Sequence, residues 1–210
     1  MAMRRRRHPP LFLFLSVFLF LAATAAAERA RSRSGVSQAA AEDFVRRSCR
    51  ATRYPQVCER SLVPLAPSVG RSPRLLAQAA LTVGADRARS CSSYLGGGSG
   101  GSSSSSKKRS GGAMGDCAET LRDAEERLRQ SAAEMNGMGR AGSPRFAWRL
   151  SNVQTWASAA LTDASTCLDS LATYPSPAGQ KEEVRKRVIA MSQSTSNALA
   201  FVNNLHPNSS

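Results

Sequence analysis

The chain has 210 residues, 29 of them Lys or Arg against 15 Asp or Glu, giving a formal charge of +14, with 41% hydrophobic residues. That length and apolar content support one ordinary domain with additional segments. The two histidines, His8 and His206, sit close to the chain ends, which excludes histidine-based general-base catalysis and His-containing zinc sites; the 6% aromatic content, without basic and aromatic residues interleaved, excludes a stacking surface for nucleic acid.

Arg4, Arg5, Arg6 and Arg7 are followed by LFLFLSVFLFL, Leu11 to Leu21, and then by AATAAA. A cationic start, a short greasy centre and small residues at a cleavage point read as a secretory signal peptide, residues 1–27, cut after Ala27 or after Ala25. As a helix this run covers only ~17 Å, against a hydrocarbon core of ~30 Å. Loss of four arginines lowers the expected mature charge to +10. No other segment reaches spanning length, so no membrane partner is expected after cleavage. Residues 28–35 form a short basic segment with no apolar pattern.

Helical patterns fill the rest. Ser37 to Arg50 reads as one helix, broken at Ala51 to Tyr54, and Pro55 opens a second that carries Val57, Cys58 and Leu62. Ser72 is a plausible N-cap with Pro73 at the first helical position, starting a helix through residues 74–95 despite Gly84, with Leu81, Ala88, Cys91 and Leu95 on one side. Residues 96–115, GGGSGGSSSSSKKRSGGAMG, read as a flexible loop inside the domain. Its Lys107-Lys108-Arg109 cluster reads as a solvated charge run or as an attractor of polyanions.

Cys117, Leu121, Ala124, Leu128, Ser131/Ala132 and Met135 alternate in steps of four and three, one stripe of an amphipathic helix. Phe146, Leu150, Val153, Trp156/Ala157, Ala160, Ala164, Cys167 and Leu171 mark a long buried helix over 145–172. Thr173 to Gly179 is a proline-rich turn. Val184, Val188, Met191, Thr195, Ala198, Val202 and Leu205 then give a narrow bundle seam. No stretch has a period of two. The pattern predicts an all-α fold: an up-down four-helix bundle preceded by an N-terminal helical hairpin.

Five cysteines remain after export: Cys49, Cys58, Cys91, Cys117 and Cys167. In an oxidising compartment they are disulfide candidates, and none forms a CxxC pair. A Cys49–Cys58 bridge would close the hairpin, worth ~2.5–3 kcal/mol by loop entropy, and a Cys117–Cys167 bridge would tie two bundle helices, worth ~4 kcal/mol. Other pairings remain open at this point. Cys91 is the odd thiol, either a buried small hydrophobe or a bridge to another chain. No metal-ligand spacing, phosphate-cradling glycine loop or cofactor motif is present.

The segment DFVRRSCRATRYPQVCERSL, Asp43 to Leu62, resembles the opening of the plant invertase and pectin methylesterase inhibitor family. GDCAETLRDAEERL (115–128), SNVQTWASAALTDASTCLDSL (151–171) and SNALAFVNNL (196–205) resemble its later helices in the right order. The resemblance implies a helical hairpin on a four-helix bundle, bridges Cys49–Cys58 and Cys117–Cys167, and a non-enzymatic inhibitor. The layout is then a signal at 1–27, an inhibitor domain at 36–206 (hairpin 36–66, bundle 72–206) and a tail at 207–210.

SNVQTW and SAALTD favour the pectin methylesterase side of the family, which acts in the apoplast and cell wall through one-to-one complexes. The alternative target, invertase, would use Pro144-Arg145-Phe146, which resembles the Pro-Lys-Phe motif of invertase inhibitors; a helix-starting proline followed by a core phenylalanine is the structural alternative. Arg for Lys keeps the charge and changes the geometry.

Glu119, Asp123 and Glu126 fall within ~60° of one another on a helix. Thr166 and Asp169 flank Cys167 and come alongside if Cys117 and Cys167 are bridged. At matching positions the family contacts its enzyme beside the substrate cleft, so these five residues are the expected contact set. The competing expectation is a solvated face tied up by pairs to Arg122, Arg127 and Arg129. The mature positive charge suggests association with de-esterified pectin. An enzyme built on a carboxylate pair such as Asp123 and Asp169 has little supporting machinery, and a cationic antimicrobial or pectin-binding module rests on charge alone.

Overall fold

The computed structural model describes residues 37–97, 112–173 and 178–205. The chain divides into two units after Ala40, and the helical assembly belongs to the unit beginning at Ala41. The expected signal peptide, the 28–35 segment, most of the Gly/Ser/Lys loop, the Tyr174–Pro177 turn, and the tail with His206 and the Asn208 sequon lie outside the described residues.

Seven α-helices are described: α1 over 37–50, α2 over Pro55–Leu62, α3 over Ala66–Val69, α4 over Pro73–Gly97, α5 over Ala113–Glu134, α6 over Pro144–Thr173 and α7 over Ala178–Asn203. Short 3-10 turns follow α2 at Val63–Leu65 and α5 at Met135–Gly137. No strand occurs among the described residues. The four long helices close a ring: α4 packs on α5 and α7, and α6 packs on the same two. That is a four-helix bundle, with the α1/α2 hairpin beside it and α2 against α4 and α7.

The starts of these helices follow from local chemistry. Ser72 caps α4, its Oγ accepting the Leu75 N–H at 3.3 Å, with Pro73 as the first residue. Ser143 caps α6 likewise, accepting the Phe146 N–H at 3.2 Å ahead of Pro144. Both α4 and α5 extend into the expected 96–115 loop, since α4 runs to Gly97 and α5 opens at Ala113. Gly112 precedes α5 with φ of +83°, a left-handed turn into the helix that glycine adopts without a side-chain clash. α7 begins at Ala178, ahead of its first seam residue Val184, because its opening turns hold no core residue that periodicity registers.

Every predicted stripe residue of α5 and α6 is buried apart from the half-buried alternates Ala132 and Trp156, and α7's seam is buried from Val184 to Val202. Much of the shared core is alanine: Ala77, Ala80, Ala85 and Ala88 on α4, Ala157, Ala160 and Ala164 on α6. Small side chains let helix axes approach toward the close end of ~8–10 Å. Gly84 takes this furthest. A Cβ there would lie 3.0 Å from Thr195 Oγ1 and 3.3 Å from Leu128 Cδ1, so the missing side chain makes room for both α5 and α7.

Disulfides join Cys49 to Cys58 and Cys117 to Cys167. The hairpin is also held to the bundle by Asn197 on α7, which sequence reading did not single out. Its Oδ1 accepts the Tyr54 N–H at 3.1 Å and its Nδ2 donates to the Tyr54 carbonyl at 2.9 Å, so one amide satisfies both backbone groups at the hairpin turn. Asn197→Ala leaves the Tyr54 N–H without its acceptor, while the Tyr54 carbonyl keeps the Cys58 N–H at 3.0 Å, and a loss of about 1–2 kcal/mol in urea-unfolding stability is expected.

Cys91 is a free thiol, fully buried on α4. Burial pushes it up to about 11, with Arg187 opposing and Glu183 reinforcing the shift. The folded protein therefore holds the thiol protonated. The stability this contributes is complete below the unfolded thiol's pKa and is lost as pH rises toward about 11. Thiol titration at pH 8 should label nothing in the native protein and one cysteine once it is unfolded; labelling of the native protein would contradict this burial.

Candidate functional site

The Cys117–Cys167 bridge fastens α5 to α6. Glu119, Asp123 and Glu126 on α5 and Thr166 and Asp169 on α6 are all exposed. The three acidic residues extend ~10 Å along α5 at 1.5 Å per residue. Thr166 donates its hydroxyl to the Thr162 carbonyl at 3.0 Å, and the Asp169 carbonyl accepts from Thr173 Oγ1 at 2.9 Å. Both bonds lie within α6 and leave the Asp169 carboxylate out of them.

Two of the three arginines next to this stripe in sequence, Arg127 and Arg129, are engaged elsewhere. Arg127 reaches across to α6, its Nε 2.9 Å from Asp163 Oδ2. Arg129 pairs with Glu125 at 2.8 Å and Asp86 at 3.3 Å, and Arg89 joins the same Glu125 oxygen at 2.8 Å. Among the described residues, Glu119, Asp123 and Asp169 have no side-chain hydrogen bond or ion pair, and Glu126 accepts only an intrahelical bond from Gln130 at 2.8 Å. The expected i,i+4 pairs from Arg122, Arg127 and Arg129 to the stripe are therefore absent, because two of these arginines find half-buried carboxylates between helices.

Those inter-helix carboxylates have shifted acidities. Burial favours the neutral acid at Glu125, but hydrogen bonds from Arg129 and Arg89, with their charges, outweigh it and hold its carboxyl below the ordinary range. At Asp163 burial prevails, raising the carboxyl above the ordinary aspartate value; Arg127 opposes this and the charge of Asp123 reinforces it.

Pro144 and Arg145 are exposed at the start of α6, whereas Phe146 is buried at 3% exposure, with the Arg74 guanidinium 5.9 Å from its ring centre. Its aromatic ring is withdrawn into the core, which is the helix-starting arrangement. Among the described residues no group of three or more His, Cys, Asp or Glu is gathered as a metal site, and no helix is long and apolar enough to cross a membrane.

Hairpin, bundle and two bridges define a cystine-braced helical scaffold, with an exposed polar stripe across α5 and α6. The family model described as plant invertase/pectin methylesterase inhibitor matches residues 43–201, and the chain belongs to that family. It is 40% identical over 171 residues to pectinesterase inhibitor 11 of Arabidopsis thaliana, covering 81% of this chain and 84% of that protein. It is 39% identical over 171 residues to a 21 kDa protein of Daucus carota, covering 81% and 88%. A crystal structure of a mutant form of a pectin methylesterase inhibitor from Arabidopsis has the same fold, with a TM-score of 0.54 and 21% identity over 74% of this chain and 92% of that one.

Proposed function

We propose that this protein inhibits pectin methylesterase, forming a one-to-one complex that occludes the enzyme's substrate cleft and limits pectin de-esterification. Membership of the family, with pectinesterase inhibitors among the relatives at 33–40% identity, is the observation that carries this reading. It is an inhibitor, not an enzyme. The proposed contact face is Glu119, Asp123, Glu126, Thr166 and Asp169, supported by their exposure and by carboxylates left without neutralising partners. Charges in such a face steer encounter and select partners more than they add affinity.

The leader at 1–27 is proposed to direct export to the cell wall, leaving residues 36–206 as the inhibitor domain. There the mature positive charge favours retention on de-esterified pectin. Invertase inhibition through Pro144-Arg145-Phe146 is disfavoured, since Phe146 is buried. Titrating the purified mature protein into a pectin methylesterase and, in parallel, into an acid invertase tests the reading. Saturation of the esterase at one equivalent with the invertase unaffected is expected; an esterase that retains full activity at excess inhibitor would overturn it.

A further inference from the structure

Beside the hairpin lies a second charged feature that the docking face does not use. Val57, Arg60 and Ser61 of α2, Val83 and Arg87 of α4, and Ala190 and Gln193 of α7 line a groove of about 500 Å³. Its two guanidinium groups have no carboxylate partner among the described residues. Arg60 donates only to the Gln56 carbonyl, from Nε at 3.3 Å, which leaves both of its terminal nitrogens open. The nearest acid in sequence, Glu59, is occupied by Arg46 at 3.3 Å.

Arg87 is half-buried and rigidly set. Its Nη1 donates to the Ala190 carbonyl at 2.9 Å and its Nη2 to Ser61 Oγ at 2.7 Å, while Ser61 donates onward to the Val57 carbonyl at 2.8 Å. These neutral acceptors fix the fork without cancelling its charge. Burial, with the charge of Arg60 added, makes the protonated state of Arg87 harder to hold than in water. A half-buried cation facing a like charge is costly unless an anion compensates it. Guanidinium forks match planar and tetrahedral oxyanions through paired N–H donors, and a fork already fixed loses little entropy on binding.

We propose that this groove binds an oxyanion between Arg60 and Arg87, either the carboxylate of a uronate chain or a free phosphate. The apolar walls from Val57, Val83 and Ala190 suit the ring faces of a sugar, and the Gln193 amide supplies a further polar group. Naming a uronate as the carrier rests on the reading of the protein as a pectin methylesterase inhibitor; the oxyanion chemistry does not.

Isothermal titration of the purified protein with trigalacturonate, and separately with inorganic phosphate, tests this without any enzyme present. Arg60→Gln should weaken binding about tenfold, the effect of losing one charge-assisted hydrogen bond. Arg140→Gln, which removes the same charge from a loop outside the groove, should leave binding unchanged. Binding of trigalacturonate but not phosphate identifies the uronate as carrier, and phosphate binding with the same Arg60 dependence identifies a free anion. Equal loss in the two variants, or no loss from Arg60→Gln, would overturn the site and leave only diffuse attraction. Arg87→Gln should abolish binding, with circular dichroism checking the fold because the change also removes the bonds to Ala190 and Ser61. Arg60→Gln is expected to inhibit pectin methylesterase normally, so the two proposals fail separately.

Discussion

Asp123→Arg combined with Glu126→Arg is expected to weaken inhibition of a pectin methylesterase by on the order of a hundredfold, from like-charge juxtaposition costing about 3 kcal/mol. The fold should not suffer. Both side chains are exposed, and the reversal gives up only the intrahelical Gln130–Glu126 bond. At Asp123 it removes a negative charge that already raises the neighbouring Asp163 carboxyl. Because that carboxyl titrates above its unfolded value, its charged form burdens the native state at neutral pH, and the burden lifts as pH falls through the raised pKa. Replacing Asp123 by a cation should ease that strain and hold or raise the thermal midpoint. Lost inhibition with stability kept separates a docking role from a folding role; inhibition equal to the parent protein's would remove these two residues from the face.

Replacing Cys117 and Cys167 together by alanine should cost about 4 kcal/mol in urea-unfolding stability, the loop-entropy value for their separation of 50 residues. The same change at Cys49 and Cys58, separated by 9, should cost only ~2.5–3 kcal/mol. The larger effect also bears on function. Glu119 lies two positions from Cys117, and Thr166 and Asp169 bracket Cys167, so the covalent link sits at one end of the α5 stripe and between the two α6 contact residues. The α5/α6 variant is therefore expected to lose inhibition at temperatures where it remains folded, while the hairpin variant keeps most of it. Equal inhibition by both variants would place the contacts elsewhere.

The helices were readable because each buries a single stripe, and steps of three and four survive any arrangement of neighbours. Cys117, Leu121, Ala124 and Leu128 illustrate this, all fully buried on one face of α5. Helix starts at Pro73 and Pro144 were readable as well, since capping is a local matter. What depended on how helices meet was not. Arg127 finds Asp163 36 residues away, and Asn197 finds Tyr54 143 residues away. A linear scan for i,i+4 partners assigns such arginines to their own helix and leaves such an asparagine without a role. Arg87 shows the same limit, because its acceptors lie on α2 and α7 and its isolation from carboxylates is a property of the assembled groove.

The alanine seam has a mechanical consequence. At Gly84 the Thr195 and Leu128 side chains already fill the space a methyl group would take, and the alanines around it offer no rotamers to adjust, so a helix that rolled or slid would meet its neighbours at once. The outer surface of α5 and α6 should then behave as a stiff template whose groups keep fixed spacing before any encounter, so recognition would be governed by fit rather than by adaptation.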